Sequence, residues 1–454
     1  MKPKQILILG IVLCILVLGV AVKALWKPKE LVTEEFTSLG IVFDPSLVER
    51  IRIGGADDEE AFELVKTQGG WNLPDRWNAR ANGAKIERFL KGIRDAKGEL
   101  RAEGRDLWDD FGIHPREAFQ ISLSDAFGTP LFEWRIGKKK WDHRYPFVRQ
   151  VASERVYLTD ADLFSFLGMF GDPARQIPKS DPWAALDLLN LRLDQIQEIR
   201  AERFSDQESE RVMAIERSSA IGISGMGSWQ YVNKTLPFEM DQGKVERFLM
   251  SLVGWRAARI LEPGHEAYGL DRPAWQMTVT LEEGKEVTVT VGWQDQETES
   301  YFVKVSQEPV VFQVSKLHFE EMDIDDSYFF RDNPLRIASS KIEKLVIRSK
   351  KKKVNVLPQT ERPEVLAEYL GHLEQFRVSK LLFSASAQKK VKVNGPYSLE
   401  IQFEGKPTFI LDVGDWVSKK TRERVTQVRG KAQPFAISEA TFKSLFEDLD
   451  VLVT

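Results

Sequence analysis

A six-residue segment occurs twice in this chain and constrains its fold more than any other feature. Lys85–Leu90 reads Lys-Ile-Glu-Arg-Phe-Leu, and Lys244–Leu249 reads Lys-Val-Glu-Arg-Phe-Leu. The first copy begins 14 residues after Trp71, and the second begins 15 residues after Trp229. Self-similarity over a long interval is the sequence signature of tandem repeats. We therefore expect at least two copies of one domain.

The similarity continues downstream and reaches a third, weaker copy. Phe111-Gly112-Ile113 matches Tyr268-Gly269-Leu270, and in all three copies a strand leads into a glycine, namely Gly137, Gly292 or Gly414. The copies are expected to superpose over Ile51–Trp183, Ile199–Leu335 and Lys341–Asp450. The predicted organisation is a tail and anchor over 1–30, a linker over 31–44, and repeat domains over 45–195, 196–336 and 337–454.

Two kinds of hydrophobic periodicity occur within each copy. Gln276–Leu281 and Glu286–Gly292 alternate polar and apolar residues, as half-buried strands do. Lys244–Trp255 instead places its apolar residues at helical spacing. This mixture predicts an antiparallel sheet with helices packed on one side. The predicted fold class is α+β, with one N-terminal transmembrane helix followed by three tandem repeats of a small antiparallel-sheet-plus-helices domain.

The predicted transmembrane helix rests on an apolar run near the start of the chain. Ile6 to Val22 contains no charged residue, and the apolar character continues past Lys23 to Trp26. As a helix, this stretch rises roughly 31 Å, which matches the ~30 Å hydrocarbon core of a bilayer. Lys23 and Trp26 suit a membrane interface. The run predicts a single-pass anchor in the lipid bilayer, and a cleaved signal peptide is the alternative.

Overall charge and cysteine content exclude several classes of protein. The 454 residues carry 64 Lys and Arg against 68 Asp and Glu, a formal net charge of −4. This balance argues against a nucleic-acid binder. The single cysteine, Cys14, lies within the apolar run. An intramolecular disulfide, a cysteine-based zinc site and an exposed catalytic thiol are therefore excluded.

Positive charge is concentrated in the third copy. Lys341–Thr454 contains 21 Lys and Arg against 14 Asp and Glu, a net charge of +7. The lysines that we single out as candidate partner-binding residues are Lys351, Lys352, Lys353, Lys419 and Lys420. They are interpreted either as solvated hairpin tips that protect edge strands or as a contact surface for anionic lipid, an acidic polymer or an acidic partner.

No catalytic, cofactor or metal site is recognisable in the sequence. The five histidines are far apart and lack metal-binding spacing. Asp323, Asp325 and Asp326 suggest calcium, but the segment lacks the central glycine and the closing glutamate of a calcium loop. We interpret these three residues as a capped, solvated loop. The prediction is a protein that uses no cofactor and has no catalytic residue.

The tandem pattern resembles a bacterial family, domain-of-unknown-function family 4340. The residues that carry the resemblance are Trp229, Tyr268–Pro273 and Phe330-Arg331-Asp332. It is clearest over Ile199–Leu335 and weakest in the third copy. Such proteins are often encoded beside components of gliding-motility-like ABC transporters. The resemblance implies an accessory role in the cell envelope, at the bacterial inner membrane, with the bulk of the chain periplasmic or otherwise extracytoplasmic.

Two functions from different classes follow from these observations. The first is a non-enzymatic, membrane-anchored accessory or scaffold subunit of an ABC-type transport system that acts by binding other proteins. The alternative is an envelope hydrolase or glycan-binding protein whose site is not recognised in the sequence. The first needs only features that the sequence displays.

Overall fold

The computed structural model describes the chain from residue 36 onward, with gaps. The described residues are 36–55, 61–141, 145–172, 176–205, 209–218, 228–335, 342–350, 352–357, 363–383, 396–418, 422–447 and 449. They divide into two compact units. The first unit ends at Trp183, and the second comprises Arg76–Arg80 and everything from Ala184 onward.

The first unit contains the first repeat. Its strands are β1 (Thr37–Ser38), β2 (Arg50–Gly54), β3 (Phe62–Thr67), β4 (Gly70–Leu73), β6 (Lys97–Glu103), β7 (Phe119–Ser124), β8 (Pro130–Trp141), β9 (Tyr145–Gln150) and β10 (Arg155–Thr159), with the two-residue β5 (Ala79–Arg80) at the unit boundary. Its helices are α1 (Gly83–Arg94), α2 (Trp108–Phe111) and α3 (Leu163–Phe166).

The second unit contains the other two repeats. The second repeat has strands β11 (Ile196–Phe204), β12 (Ser209–Ser218), β13 (Ser228–Tyr231), β14 (Arg259–Leu261), β15 (Trp275–Leu281), β16 (Glu286–Asp295), β17 (Ser300–Val305) and β18 (Val311–Ser315), and helices α4 (Gln242–Val253) and α5 (Lys316–Glu320). The third has strands β19 (Ile342–Arg348), β20 (Lys353–Leu357), β21 (Lys380–Leu381), β22 (Tyr397–Phe403), β23 (Phe409–Ser418), β24 (Glu423–Val428) and β25 (Phe435–Ser438), and helices α6 (Pro363–Glu374) and α7 (Glu439–Phe446).

Short 3-10 helices connect these elements in both units. They span Pro45–Leu47, Pro74–Arg76, Arg105–Leu107, Asp181–Trp183, Leu193–Gln195, Glu266–Tyr268, Glu282–Gly284 and Asp326–Phe329.

The three sheets share one antiparallel strand order. In the second repeat the order is β13-β12-β11-β15-β16-β17-β18-β14. The first repeat has the same order in β4-β3-β2-β7-β8-β9-β10-β6, with β1 added beside β6. The third repeat follows it in β20-β19-β22-β23-β24-β25-β21, and its described sheet ends at β20, whereas the other two sheets continue beyond the equivalent strand. The predicted tandem repeat is confirmed.

The long helices of the first two repeats begin at a side-chain cap, and each buries one apolar face. The Asn82 side chain accepts a hydrogen bond from the Lys85 amide (3.0 Å), and Asp241 accepts one from the Lys244 amide (3.1 Å). Phe89 in α1 and Phe248 in α4 are fully buried, and Tyr369 stands at the same helical position in α6. The long helices of the three repeats therefore bury an aromatic side chain at the same position.

A glycine within β8 and β16 allows a backbone carbonyl to approach the sheet, and both strands continue past it instead of ending there. A Cβ atom on Gly137 would lie 2.3 Å from the Phe111 carbonyl oxygen, and one on Gly292 would lie 2.0 Å from that of Tyr268. The strand pairing shifts register directly after the preceding residue in both repeats. Glycine at a bulge that another backbone approaches closely explains this repeated motif.

Replacing Gly292 by alanine is expected to destabilise the second unit by about 1–3 kcal/mol, because its Cβ would overlap a backbone oxygen that cannot rotate away. Gly371→Ala is the matched control. It introduces the same methyl group into open space within α6 and should stabilise the protein by up to about 1 kcal/mol. Urea unfolding followed by circular dichroism measures both. Effects of the same sign would contradict the close-approach explanation.

The second and third repeats share part of one hydrophobic core. Leu236 and Phe238 of the second repeat belong to the buried cluster that is otherwise formed mainly by the third. The Phe238 ring lies 6.1 Å from that of Phe376 and 5.6 Å from that of Phe435, both in edge-on geometry. These two repeats therefore form a single packed unit.

The predicted fold class is wrong. Antiparallel strands in three sheets make up most of the described structure, and helices are few and at most 12 residues long. The sequence interpretation overweighted one amphipathic helix per repeat against seven or more strands. Among the described residues, no helix is long and apolar enough to cross a membrane. The predicted anchor over Ile6–Trp26, including Val22 and Lys23, lies outside the described residues.

Candidate binding surfaces

The first candidate surface is the hairpin turn that joins β19 to β20, which we call the basic turn. It comprises the exposed residues Arg348, Lys350, Lys352 and Lys353. The turn is fixed by two backbone hydrogen bonds, because the Ser349 amide donates to the Lys352 carbonyl (2.8 Å) and the Lys352 amide donates back (3.3 Å). Four cations are therefore held at one corner of the third sheet.

The electrostatic field of the basic turn extends onto the solvent-facing side of the sheet. Glu400 on β22 accepts a hydrogen bond from the Lys344 ammonium (2.7 Å), and this bond holds the pKa of Glu400 below its usual value. Arg348 and Lys353 lower that pKa further through their charges. A carboxylate beside this turn is thus stabilised by several cations at once, which favours an acidic binding partner.

The structure describes only part of the predicted lysine set. Lys352 and Lys353 belong to the basic turn and are exposed. Lys351, Lys419 and Lys420 lie outside the described residues. Lys352 and Lys353 are therefore the members of the predicted partner-binding set that can be placed on the fold.

The second candidate surface is a cleft of about 480 Å³ at the junction of the second and third repeats. Five cations line it, and each has a partner. The pairs are Arg203 with Asp323 (2.8 Å), Lys244 with Asp332 (2.9 Å), Lys380 with Glu423 (2.9 Å) and Arg331 with Glu239 (3.8 Å), while Arg377 donates to the Phe376 carbonyl (2.8 Å). Such internal neutralisation fits a structural joint better than an anion-binding pocket.

The acidic loop beside this cleft is capped as predicted, but it is not fully solvated. Asp325 accepts a hydrogen bond from the Ser327 amide (2.8 Å) and another from the Leu381 amide of the third repeat (3.2 Å). Asp326 is only 2% exposed and accepts one from the Ala214 amide (2.9 Å). Burial raises the pKa of Asp326 to about 7, and the charge of Asp325 adds to the rise. The prediction of a solvated loop is wrong for Asp326.

The lysine of the repeated helix segment has a structural role that the sequence analysis missed. The Lys85 ammonium donates to the Pro182 carbonyl (3.0 Å) and lies 4.4 Å from the centre of the Trp183 ring. The Lys244 ammonium donates to the Phe330 carbonyl (2.7 Å). Burial, together with the charge of Arg88, lowers the pKa of Lys85 to about 8. The sequence signal for this role was that the lysine recurs at the start of the apolar helix face in both repeats.

Within the described part of the chain, no group of three or more His, Cys, Asp or Glu side chains could hold a metal ion. The three acids suggested by the sequence point to different partners: Asp323 pairs with Arg203, Asp325 caps a 3-10 helix, and Asp326 is bound to the neighbouring strand. They do not converge on one point.

Comparisons with known proteins give one family. The model of a family described as a domain of unknown function, DUF4340, matches residues 71–273 and 229–396. Two overlapping matches agree with the tandem repeats seen in the strand order. No curated protein and no solved structure matches the chain. Because the two matches together span residues 71–396, well over half of the chain, the protein belongs to the DUF4340 family.

Proposed function

We propose that this protein is a non-enzymatic scaffold that binds other proteins, with the basic turn of the third repeat as its contact surface. The observation that carries the proposal is the clustering of four exposed cations on a hydrogen-bonded two-strand hairpin at the end of a sheet. Complementary charge steers an acidic partner to such a surface and fixes its orientation.

We further propose an ABC-type transport system as the partner and the bacterial inner membrane as the location, with the bulk of the chain extracytoplasmic. The support is the association implied by the family resemblance. Alkaline phosphatase and fluorescent-protein fusions at the C-terminus test the location. Phosphatase activity in intact cells is the expected result, whereas cytoplasmic fluorescence without phosphatase activity would contradict it.

Charge reversal of the basic turn is expected to abolish partner binding. In Lys352→Glu/Lys353→Glu, the contact surface changes by four charge units while the buried residues of β20 stay in place. Co-purification of transporter components from detergent extracts should fall about tenfold or more. Adding Lys351→Glu, Lys419→Glu and Lys420→Glu covers the complete predicted lysine set.

The matched control is Lys234→Glu/Lys285→Glu, which reverses two exposed lysines of the second repeat and makes the same change in net charge. It should leave co-purification unchanged. Equal losses in both variants would show a non-specific effect of net charge, and undiminished co-purification in the five-lysine variant would remove the surface from the proposal. Hydrolysis of glycan or peptide by the purified protein would instead support the alternative envelope hydrolase, and retention on a glycan column would support glycan binding.

A further inference from the structure

Within the described residues, strand β20 is the outermost strand at a sheet position where the other two repeats have a further strand. In the first repeat β4 pairs with β3, and in the second β13 pairs with β12. These outer strands bring Trp71 and Trp229 into the fold, and both side chains are buried. In the part of the third repeat that the structure describes, no strand lies beyond β20. The sequence between β20 and α6 is only 358–362 and contains no tryptophan.

The backbone groups at this edge follow from the hairpin register. Ser349 and Lys352 exchange both backbone hydrogen bonds, and the next pairs are Arg348 with Lys353, Ile347 with Val354, and Val346 with Asn355. Hydrogen-bonded and non-hydrogen-bonded pairs alternate in an antiparallel ladder. The amide and carbonyl groups of Lys353 and Asn355 therefore point away from β19. They offer two donors and two acceptors to a further strand.

The side chains of β20 indicate which residue types a strand paired with it would carry. Lys353 and Asn355 are exposed, whereas Val354 and Val356 are buried. The cations lie at the turn end, and Val354 to Leu357 carry no charge. Edge lysines usually discourage pairing. Here the lysines lie at the turn end of β20, so Val354 to Leu357 present no charge to a further strand. The lysines favour a strand that carries carboxylates beside the turn.

We propose that a protein partner of this scaffold adds an extended acidic segment to β20 as an antiparallel strand, with acidic side chains beside the basic turn and apolar side chains facing the core. This proposal rests on the proposed function and identifies the partner's binding element. In strand addition, main-chain hydrogen bonds supply affinity and alternate side chains supply specificity. The buried Trp71 and Trp229 show the same sheet position filled by an aromatic-bearing strand within this chain.

Asn355→Pro in the full chain tests the hydrogen bonds separately from the charges. Proline lacks the backbone N–H that Asn355 directs away from β19, and proline is tolerated where the backbone N–H of an edge strand faces solvent. Asn355→Ala is the matched control because it removes the asparagine side chain but keeps the backbone N–H. The probe is a fluorescein-labelled eight-residue peptide that alternates glutamate with valine, and binding is measured by fluorescence anisotropy. The proline variant should bind at least about tenfold more weakly, and the alanine variant within about twofold of the parent.

Hydrogen exchange provides a second readout that does not depend on the variants. In the unaltered protein, the peptide should slow exchange of the Lys353 and Asn355 amides, and a peptide with lysine in place of glutamate should not. Circular dichroism should show that Asn355→Pro retains the sheet. Absence of peptide binding, or binding equal in the proline and alanine variants without amide protection, would overturn strand addition.

Co-purification then distinguishes failure of this proposal from failure of the scaffold function. If charge reversal of the basic turn abolishes co-purification but Asn355→Pro does not, the scaffold stands and strand addition is wrong. If neither change affects co-purification, the proposed function itself is wrong.

Discussion

Phe248→Ala is expected to lower the free energy of unfolding of the second unit by about 3–5 kcal/mol, the range found when a buried aromatic side chain is truncated. Phe248 is 2% exposed and lies edge-on to Phe329, with ring centres 5.5 Å apart. Truncation would leave a cavity at a buried position and remove the ring contact with the 3-10 helix Asp326–Phe329. Urea unfolding monitored by tryptophan fluorescence measures the loss.

Met250→Ala is the control for this truncation because Met250 lies on the same helix and is 57% exposed. We expect it to change stability by no more than about 0.5 kcal/mol. Phe89→Ala should reproduce the Phe248→Ala loss in the first unit, since Phe89 is fully buried against Trp183 in the same edge-on geometry. If Phe248→Ala costs no more than Met250→Ala, the repeated aromatic position does not anchor the helix.

The repeat architecture was predictable from sequence because its signals are local. The Lys-x-Glu-Arg-Phe-Leu segment marks a helix by its spacing, and Gly137 and Gly292 mark the same bulge in the same strand. These features need no knowledge of distant contacts. The proportion of helix was less predictable, because one strongly amphipathic helix per repeat is easier to recognise than many short strands of five to seven residues.

Features that depend on distant contacts were not predictable. Asp326 looked like one acid among three in a polar loop, but it is buried and accepts a hydrogen bond from the Ala214 amide, 112 residues earlier in the chain. The packing of Phe238 into the core of the third repeat is of the same kind. The outermost position of β20 among the described strands has a partial signal in the sequence. The third copy has no counterpart of Trp71 or Trp229 and only residues 358–362 between β20 and α6.

Stability of the second unit is expected to fall as the pH rises from about 4 to about 8, because Asp326 must ionise in a buried site. Burial raises its pKa to about 7 in the folded protein, from 3.8 as the reference value. The charge of Asp325 adds to this rise, whereas the Ala214 amide and Arg211 oppose it. Between the two values the folded state binds the proton more tightly, so the contribution of Asp326 to stability is greatest below pH 4 and is lost as the pH rises through 7. The loss amounts to at most about 4 kcal/mol.

Asp326→Asn isolates this contribution because the amide oxygen can still accept the Ala214 hydrogen bond and carries no charge. Relative to the parent, the variant should gain stability as pH rises, and at pH 8 it should be the more stable by about 1–4 kcal/mol. Asp332→Asn is the control of opposite sign. Asp332 is exposed and accepts a hydrogen bond from Lys244 that lowers its pKa, so its removal should cost stability at neutral pH and cost less as the pH falls below 4. Urea midpoints from about pH 2 to about pH 8 measure both effects. Parallel pH profiles for the parent and Asp326→Asn would show that this carboxyl does not ionise at a cost to the fold.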